Sequence, residues 1–196
     1  MNETAILLSG GLDSAALSFW LKPQLGITVD YGQASARGEI RAAAQIAADL
    51  RVEHEVIRLD CSSLGSGDLA LKPAMAGAPA PEWWPYRNQF LITVAAMKTI
   101  PMGISRLLVG AVKSDSFHVD GRREFFEQID CLMAMQEGGL RVEAPALGFT
   151  TVELIHQCGV PDGILGWTHS CHKAEFACGN CRGCWKRQEV LNELGW

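Results

Sequence analysis

The sequence predicts an α/β protein built on a mainly parallel sheet. Short apolar segments alternate with segments of helical period through most of the 196 residues, the pattern of consecutive βαβ units. The first apolar segment runs directly into Ser9-Gly10-Gly11 and a helix-like stretch, the strand–turn–helix junction of a phosphate cradle. The tail adds a third observation: four of the seven cysteines fall within Cys171–Cys184.

Thr4–Leu8 reads as the first strand and Gly26–Asp30 as the second, with a helix opening after the glycine turn between them. In Ala36–Leu50, Ile40, Ala43, Ala44, Ala47 and Leu50 recur at helical spacing while Arg41, Gln45 and Asp49 face elsewhere, which predicts an amphipathic helix. Glu53–Leu59 is the third strand. Asn88–Ile100 is a helix stopped by Pro101, Arg106–Val112 the fourth strand, and Arg122–Gln136 a helix stopped by Gly138-Gly139. Leu140–Ala144 is the fifth strand. Cys61–Arg87 carries four of the eight prolines and is long for a plain connector, so it reads as a lid or binding loop. Trp83, Trp84 and Tyr86 within it either stack on a planar base or anchor the loop. With no repeat and no linker, the chain reads as one domain, residues 1–196.

A hydrophobic content of 48% with 20% charged residues is that of a soluble globular chain. No apolar run approaches a bilayer span and no basic segment leads into a hydrophobic signal core, so a cytoplasmic protein without a membrane partner is expected. A net charge of −5 lacks the basic footprint that nucleic-acid binding requires; Arg182, Lys186 and Arg187 form a local basic patch.

In the opening turn, backbone N–H groups of Ser9, Gly10, Gly11 and the helix start can converge on an anion. The Ser9 and Ser14 hydroxyls can donate, and Asp13 can hold a magnesium ion that neutralises charge in place of a lysine. No GxxxxGK[ST] pattern exists in the chain, which argues against γ-phosphate transfer of that type. The plain alternative is a turn whose glycines need positive φ, with Asp13 or Ser14 capping the helix.

Ser9-Gly10-Gly11-Leu12-Asp13-Ser14 resembles the SGGxDS PP-loop of the ATP pyrophosphatase superfamily. Asp30-Tyr31-Gly32-Gln33, with Glu39-Ile40 beyond, is similar to the DYGQ…AEI stretch of the QueC family of 7-cyano-7-deazaguanine synthases. Arg87-Asn88 leading into Leu91 and Ala95-Ala96 resembles that family's GRN-plus-helix segment, and Gly110, Asp115, Asp120, Arg122 and Phe125 fall where its loop after the fourth strand would be. Cys171, Cys178, Cys181 and Cys184, closed by Arg187, match its C-terminal zinc site. The likeness covers nearly the whole chain in the expected order.

This resemblance implies a Rossmann-like, doubly wound sheet with a zinc-binding tail, residues 169–196. It implies ATP and Mg²⁺ at Ser9, Gly10, Gly11, Leu12, Asp13 and Ser14, with Asp30 and Gly110 also on the nucleotide. A deazapurine carboxylate would lie against Tyr31, Gln33, Arg87, Asn88, Asp115 and Asp120, with Asp13, Ser14 and Arg87 in catalytic roles. The implied reaction is an ATP-dependent carbon–nitrogen ligation: the carboxylate of 7-carboxy-7-deazaguanine is adenylated and passed to a nitrogen nucleophile, and a homodimer is implied. From the residues alone, Asp115 and Asp120 bind Mg²⁺ or a purine edge, or simply form turns.

Three departures stand out. Thr150-Thr151-Val152-Glu153 replaces the family's lysine before an Ala-Glu pair, which removes a phosphate-contacting cation. The segment from Gly110 to Gly121 replaces a more polar, tyrosine-containing loop, and Tyr86 stands where glycine precedes the Arg-Asn pair. QueC-like paralogues of anti-phage operons are thought to join the activated base to a protein amine instead of ammonia, and this chain is similar to such a variant. The rivals are a PP-loop tRNA sulfur-transfer enzyme with an iron–sulfur cluster and a non-catalytic nucleotide-binding zinc module.

In the tail, the spacing C-x6-C-x2-C-x2-C supplies four thiolates that suit one tetrahedral zinc. Iron–sulfur ligation and unmetalled thiols are the alternatives, and His169 and His172 flank Cys171 as substitute ligands. Cys61, Cys131 and Cys158 read as small packing residues.

Overall fold

The computed structural model describes residues 3–196. The elements run β1 (Thr4–Leu7), α1 (Leu12–Leu21), β2 (Leu25–Asp30), α2 (Ala36–Leu50), β3 (Glu53–Arg58), the short α3 (Gly67–Ala70) and α4 (Arg87–Thr99). They continue with β4 (Arg106–Val109), α5 (Arg123–Ala134), β5 (Arg141–Glu143), α6 (Thr151–Cys158), α7 (Asp162–Trp167) and α8 (Arg182–Glu193).

All five strands are parallel, in the order β3-β2-β1-β4-β5. Ala5 pairs with Leu25 on one side and with Leu107 on the other. The chain therefore winds outward from β1 to β3, returns to the middle and winds outward again through β4 and β5. This is the Rossmann-like, doubly wound sheet expected, and its switch point lies between β1 and β4, where such sheets open a crevice at the strands' carboxyl ends.

Because successive strand residues point to opposite faces, the central strands β1 and β4 feed two cores. Ala5, Leu25, Ile27 and Leu107 pack with Ile92 and Ala95 of α4 and with Phe126 and Ile129 of α5. Ile6, Leu8 and Leu108 pack on the other face with Ala15 and Leu17 of α1, Ala43 and Ile46 of α2, Leu154 of α6, Leu165 of α7 and Val190 of α8. Each fully buried Leu or Ile contributes about 1.5–3 kcal/mol of apolar burial, which fixes the strand register and with it the loops at the crevice.

The fourth strand was expected to reach Val112 but stops at Val109. Gly110 leaves the ladder to lie against α1, so closely that a Cβ there would meet Ser14 Cα at 3.0 Å, and Lys113–Phe117 coils into a 3₁₀ turn. The helix expected over Asn88–Ile100 covers Arg87–Thr99 and ends in a 3₁₀ turn, Ile100–Met102, around Pro101. The one expected over Arg122–Gln136 covers Arg123–Ala134. In the long connector after β3, the Trp84 ring turns into the core and meets Tyr31 edge-on at 4.9 Å. It anchors the segment and presents no stacking face. Among the described residues, no helix is long and apolar enough to cross a membrane.

Candidate active site and metal centre

The loop after β1 owes its path to Gly10. Its φ of +78° is left-handed, and a Cβ there would come within 2.7 Å of Ala42 Cβ and 2.9 Å of the Glu39 carbonyl, so only glycine lets the loop close onto α2. Gly11 is the N-cap of α1 and has no side chain to accept from the first-turn amides; those N–H groups and the helix dipole are left for an anion. Within the turn, the Gly11 N–H donates to Ser9 Oγ at 3.3 Å, and Ser14 Oγ lies 3.2 Å from Ser9 Oγ.

The loop borders a cavity of about 350 Å³ at the switch point. Of the residues singled out from the sequence, Ser9, Gly11, Leu12, Asp13 and Ser14 line it on the β1 side. Gly110, Asp115 and Asp120 line it from the segment after β4, and Tyr31, Arg87 and Asn88 line it from the end of β2 and the start of α4. Gly10, Asp30 and Gln33 stand behind the wall. Asp30 Oδ1 accepts from the Gly32 N–H. Gln33 spends its amide on the Tyr31 N–H, the Val29 carbonyl and Glu39 Oε2. Both hold the turn that presents Tyr31 and Glu39.

Asp13 is the electrostatic centre of the β1 side. Oδ1 accepts from Thr151 Oγ1 at 2.6 Å, and Oδ2 lies 3.3 Å from Lys186 Nζ. The same ammonium is 3.4 Å from Asp115 Oδ1, while Asp115 Oδ2 accepts from the Val112 N–H at 3.0 Å. Burial pushes the Asp13 carboxyl up, with Lys186 pulling against it. Burial works against the Lys186 ammonium too, but Asp13 and Asp115 outweigh it and hold its pKa above the usual lysine value. The proton therefore stays on nitrogen.

Burial lifts the Tyr31 hydroxyl well above the ordinary tyrosine range although it faces the Arg87 guanidinium. Asn88 Nδ2 donates to the Asp120 carbonyl at 3.1 Å. Glu39 accepts from Ser35 Oγ at 2.6 Å and from Gln33, and burial pushes its carboxyl up. His172 also lines the cavity, and its buried Nδ1 has no hydrogen-bond partner among the described residues.

Four thiols converge at the start of α8. The sulfurs of Cys171, Cys178, Cys181 and Cys184 all lie within 4.8 Å of one another, with Cys178–Cys184 at 3.9 Å and Cys171–Cys181 at 4.0 Å. A tetrahedral zinc with bonds of about 2.3 Å spaces its sulfurs roughly 3.8 Å apart, so the donor set fits one ion. Sulfurs this close leave no room for several irons and bridging sulfides. Against burial, backbone amides bring the Cys171 thiol down to about 7, whereas burial first and the neighbouring sulfurs next push Cys184 up to about 12. A bound cation would relieve that conflict. Neither histidine joins the set. The His169 backbone N–H instead donates to the Gly10 carbonyl at 2.8 Å and its ring meets the Ala174 carbonyl, tying the tail to the loop.

Glu39, His118, His172 and Lys186 all line the cavity, yet motif reading places none of them in it. One signal was present for the lysine: Gly183, Lys186, Arg187 and Val190 fall at the i, i+3, i+4, i+7 spacing of an inward helix face. Two cations on such a face need a reason to be there.

A doubly wound parallel sheet with a glycine loop and paired aspartates at its switch point, beside a four-thiol cluster, defines an α/β protein with a candidate ligand cavity and thiols that could hold a metal ion. Compared with known proteins, the chain matches the family described as "Queuosine biosynthesis protein QueC" over residues 3–195. The chain belongs to the QueC family. It is 31% identical to a 7-cyano-7-deazaguanine synthase of Desulforudis audaxviator (strain MP104C), over 97% of this chain and 96% of that protein. It is 33% identical to the one of Pseudomonas fluorescens (strain Pf0-1), over 98% and 92%. For the synthase of Xanthomonas campestris pv. campestris (strain B100) the figures are 34%, 100% and 95%.

Proposed function

We propose that this chain is an ATP-dependent carbon–nitrogen ligase acting on 7-carboxy-7-deazaguanine, and that it works as one PP-loop domain in a reducing cytoplasm. The observation that carries the reading is one cavity lined both by the glycine loop with Asp13 and by Tyr31, Arg87 and Asn88. A triphosphate and a flat carboxylated base need those two sets of groups.

In this reading a carboxylate oxygen of the substrate attacks the α-phosphorus of ATP in line, a P–O bond forms, and pyrophosphate leaves. The amides of Gly11 and the first turn of α1, with the Ser9 and Ser14 hydroxyls, hold the departing charge. Asp13 and Asp115 are the carboxylates that would hold Mg²⁺, whose part is to neutralise the phosphates. Arg87 steers the substrate carboxylate through paired N–H donors, and Asn88, Asp120 and the His172 ring face the base edge. Ammonia then adds to the acyl carbon, AMP leaves and the amide forms. A second round, with the amide oxygen attacking ATP and AMP eliminated, gives the nitrile. The four thiols would hold Zn²⁺ as a structural ion.

One observation favours a second acceptor. Tyr86, Phe117 and Val119 are 78%, 53% and 70% exposed on the two segments that carry Arg87 and His118, an apolar rim that suits a polypeptide amine. Incubation with ATP, Mg²⁺ and 7-carboxy-7-deazaguanine, with and without ammonia, tests both by mass spectrometry. AMP with the amide or nitrile supports the ligase. A protein adduct supports the second acceptor, and absence of AMP under every condition refutes the reading.

A further inference from the structure

Three cationic side chains other than histidine line the cavity among the described residues: Arg87, Lys186 and Arg187. Arg87 faces Tyr31. Arg187 is committed to the scaffold, with Nε on Thr168 Oγ1 at 3.2 Å and Nη2 on the Leu165 carbonyl at 3.4 Å. That pair of bonds seats α8 against the end of α7. Lys186 alone brings positive charge to the glycine loop, and it does so from a helix capped by Cys181 and carrying Cys184 in its first turn.

Its position is unusual for a structural ion pair. The ammonium lies between two cavity carboxylates, Asp115 and the first-turn Asp13 of α1. One cation facing two anions leaves a net negative charge at the spot where a polyanion must dock, unless a divalent ion takes the carboxylates. Nζ is held at 3.3 and 3.4 Å, longer than the roughly 2.7–2.9 Å of a tight ammonium–carboxylate hydrogen bond. The side chain keeps 38% exposure. A lysine on a flexible four-carbon stem can turn from such loose contacts to a phosphate oxygen with little loss.

We propose that Lys186 is a phosphate-binding residue. In the nucleotide complex its ammonium turns from Asp13 and Asp115 to the outer phosphates of ATP, and the two carboxylates pass to the divalent metal. The inference rests on the ATP reading above and deepens it. It makes the cysteine-bearing helix a working part of the nucleotide site, and it makes the lysine a competitor of free metal for the two aspartates.

That competition gives the test opposite signs in two titrations. Calorimetry is run on the full chain with Mg²⁺ alone and with Mg²⁺ plus a non-hydrolysable ATP analogue, for the wild type, Lys186→Ala and Lys186→Arg. Bound zinc and melting temperature are checked for each variant. Lys186→Ala should bind the nucleotide about tenfold to a hundredfold more weakly, the range for losing a hydrogen bond to a charged group, and should bind Mg²⁺ alone more tightly than the wild type. Lys186→Arg should keep nucleotide affinity within a few-fold, and it carries the test if the alanine variant does not fold. A wild type that binds nucleotide, beside a folded Lys186→Ala whose two affinities are both unchanged, overturns the inference and leaves the ATP reading standing. A zinc-loaded wild type that binds no nucleotide overturns both.

Discussion

Thr151 Oγ1 donates a 2.6 Å hydrogen bond to Asp13 Oδ1 across 138 residues of sequence. Thr151 stands where the resemblance leads one to expect a lysine, and the side chain that replaces it meets the same carboxylate that Lys186 meets from α8. The Thr150-Thr151-Val152-Glu153 stretch has its own local reason: Thr150 Oγ1 accepts from the Glu153 N–H while Glu153 Oε2 accepts from the Thr150 N–H, a capping box that starts α6. A positive charge reaches that carboxylate from another element, α8. Thr151→Lys combined with Lys186→Ala is therefore expected to recover at least a few-fold of the nucleotide affinity that Lys186→Ala loses, measured by calorimetry.

Asp13→Ala removes a carboxylate that would hold Mg²⁺ in the proposed reaction and leaves Thr151 and Lys186 without their shared acceptor. ATP–pyrophosphate exchange should fall about a hundredfold or more. Exchange within tenfold of the wild type would remove Asp13 from the assigned role.

Metal binding should read out at a distance. Cys181 is the N-cap of α8, its sulfur accepting from the Cys184 N–H at 3.4 Å. Cys181→Ala or exhaustive chelation should drop bound zinc to near zero and destabilise the fold by about 3 kcal/mol or more. Nucleotide affinity should fall with it, because Lys186 loses its seat. Metal analysis and calorimetry on the same samples check both.

At the β5 edge of the sheet, Asp130 accepts from Arg141 Nε and Nη2 and from the Val142 N–H, and Arg141 first of all holds its carboxyl below the usual range. A depressed acid stabilises the fold above its ordinary pKa and stops doing so as pH falls through the lower folded value. Asp130→Asn should therefore cost about 1 kcal/mol at pH 7 and nearly nothing near pH 2. Urea midpoints at the two pH values measure the difference.

Gly10→Ala forces a Cβ to 2.7 Å from Ala42 Cβ at a φ of +78°. The loop must shift off α2, and stability should drop by about 2 kcal/mol or more. Thermal melting and nucleotide affinity should both register it.

The strands and helices were legible because hydrophobic period and glycine punctuation are local signals, and β1 to β3 with α2 were readable almost to the residue. Gly110 shows where that stops. It sits inside an apolar run, and only its contact with Ser14, from another element, ends β4 there. The loop residues were readable as a string, yet Lys186 was visible only as part of a basic patch. Its partners lie 173 and 71 residues away, and no window of sequence contains them. Trp84 is the converse case: an aromatic that looks available for stacking is used up by Tyr31.

The tie between the first loop and the last helix also orders events in time. At about 5–20 residues per second, the 173 residues between Asp13 and Lys186 take a ribosome roughly 9 to 35 seconds to make. Throughout that interval the carboxylate has already been synthesised and its counter-charge has not. On the proposed ATP reading, nucleotide capture would wait for the last helix and its thiol cluster, and a nascent chain emerging with its glycine turn complete would not yet compete for the cell's ATP.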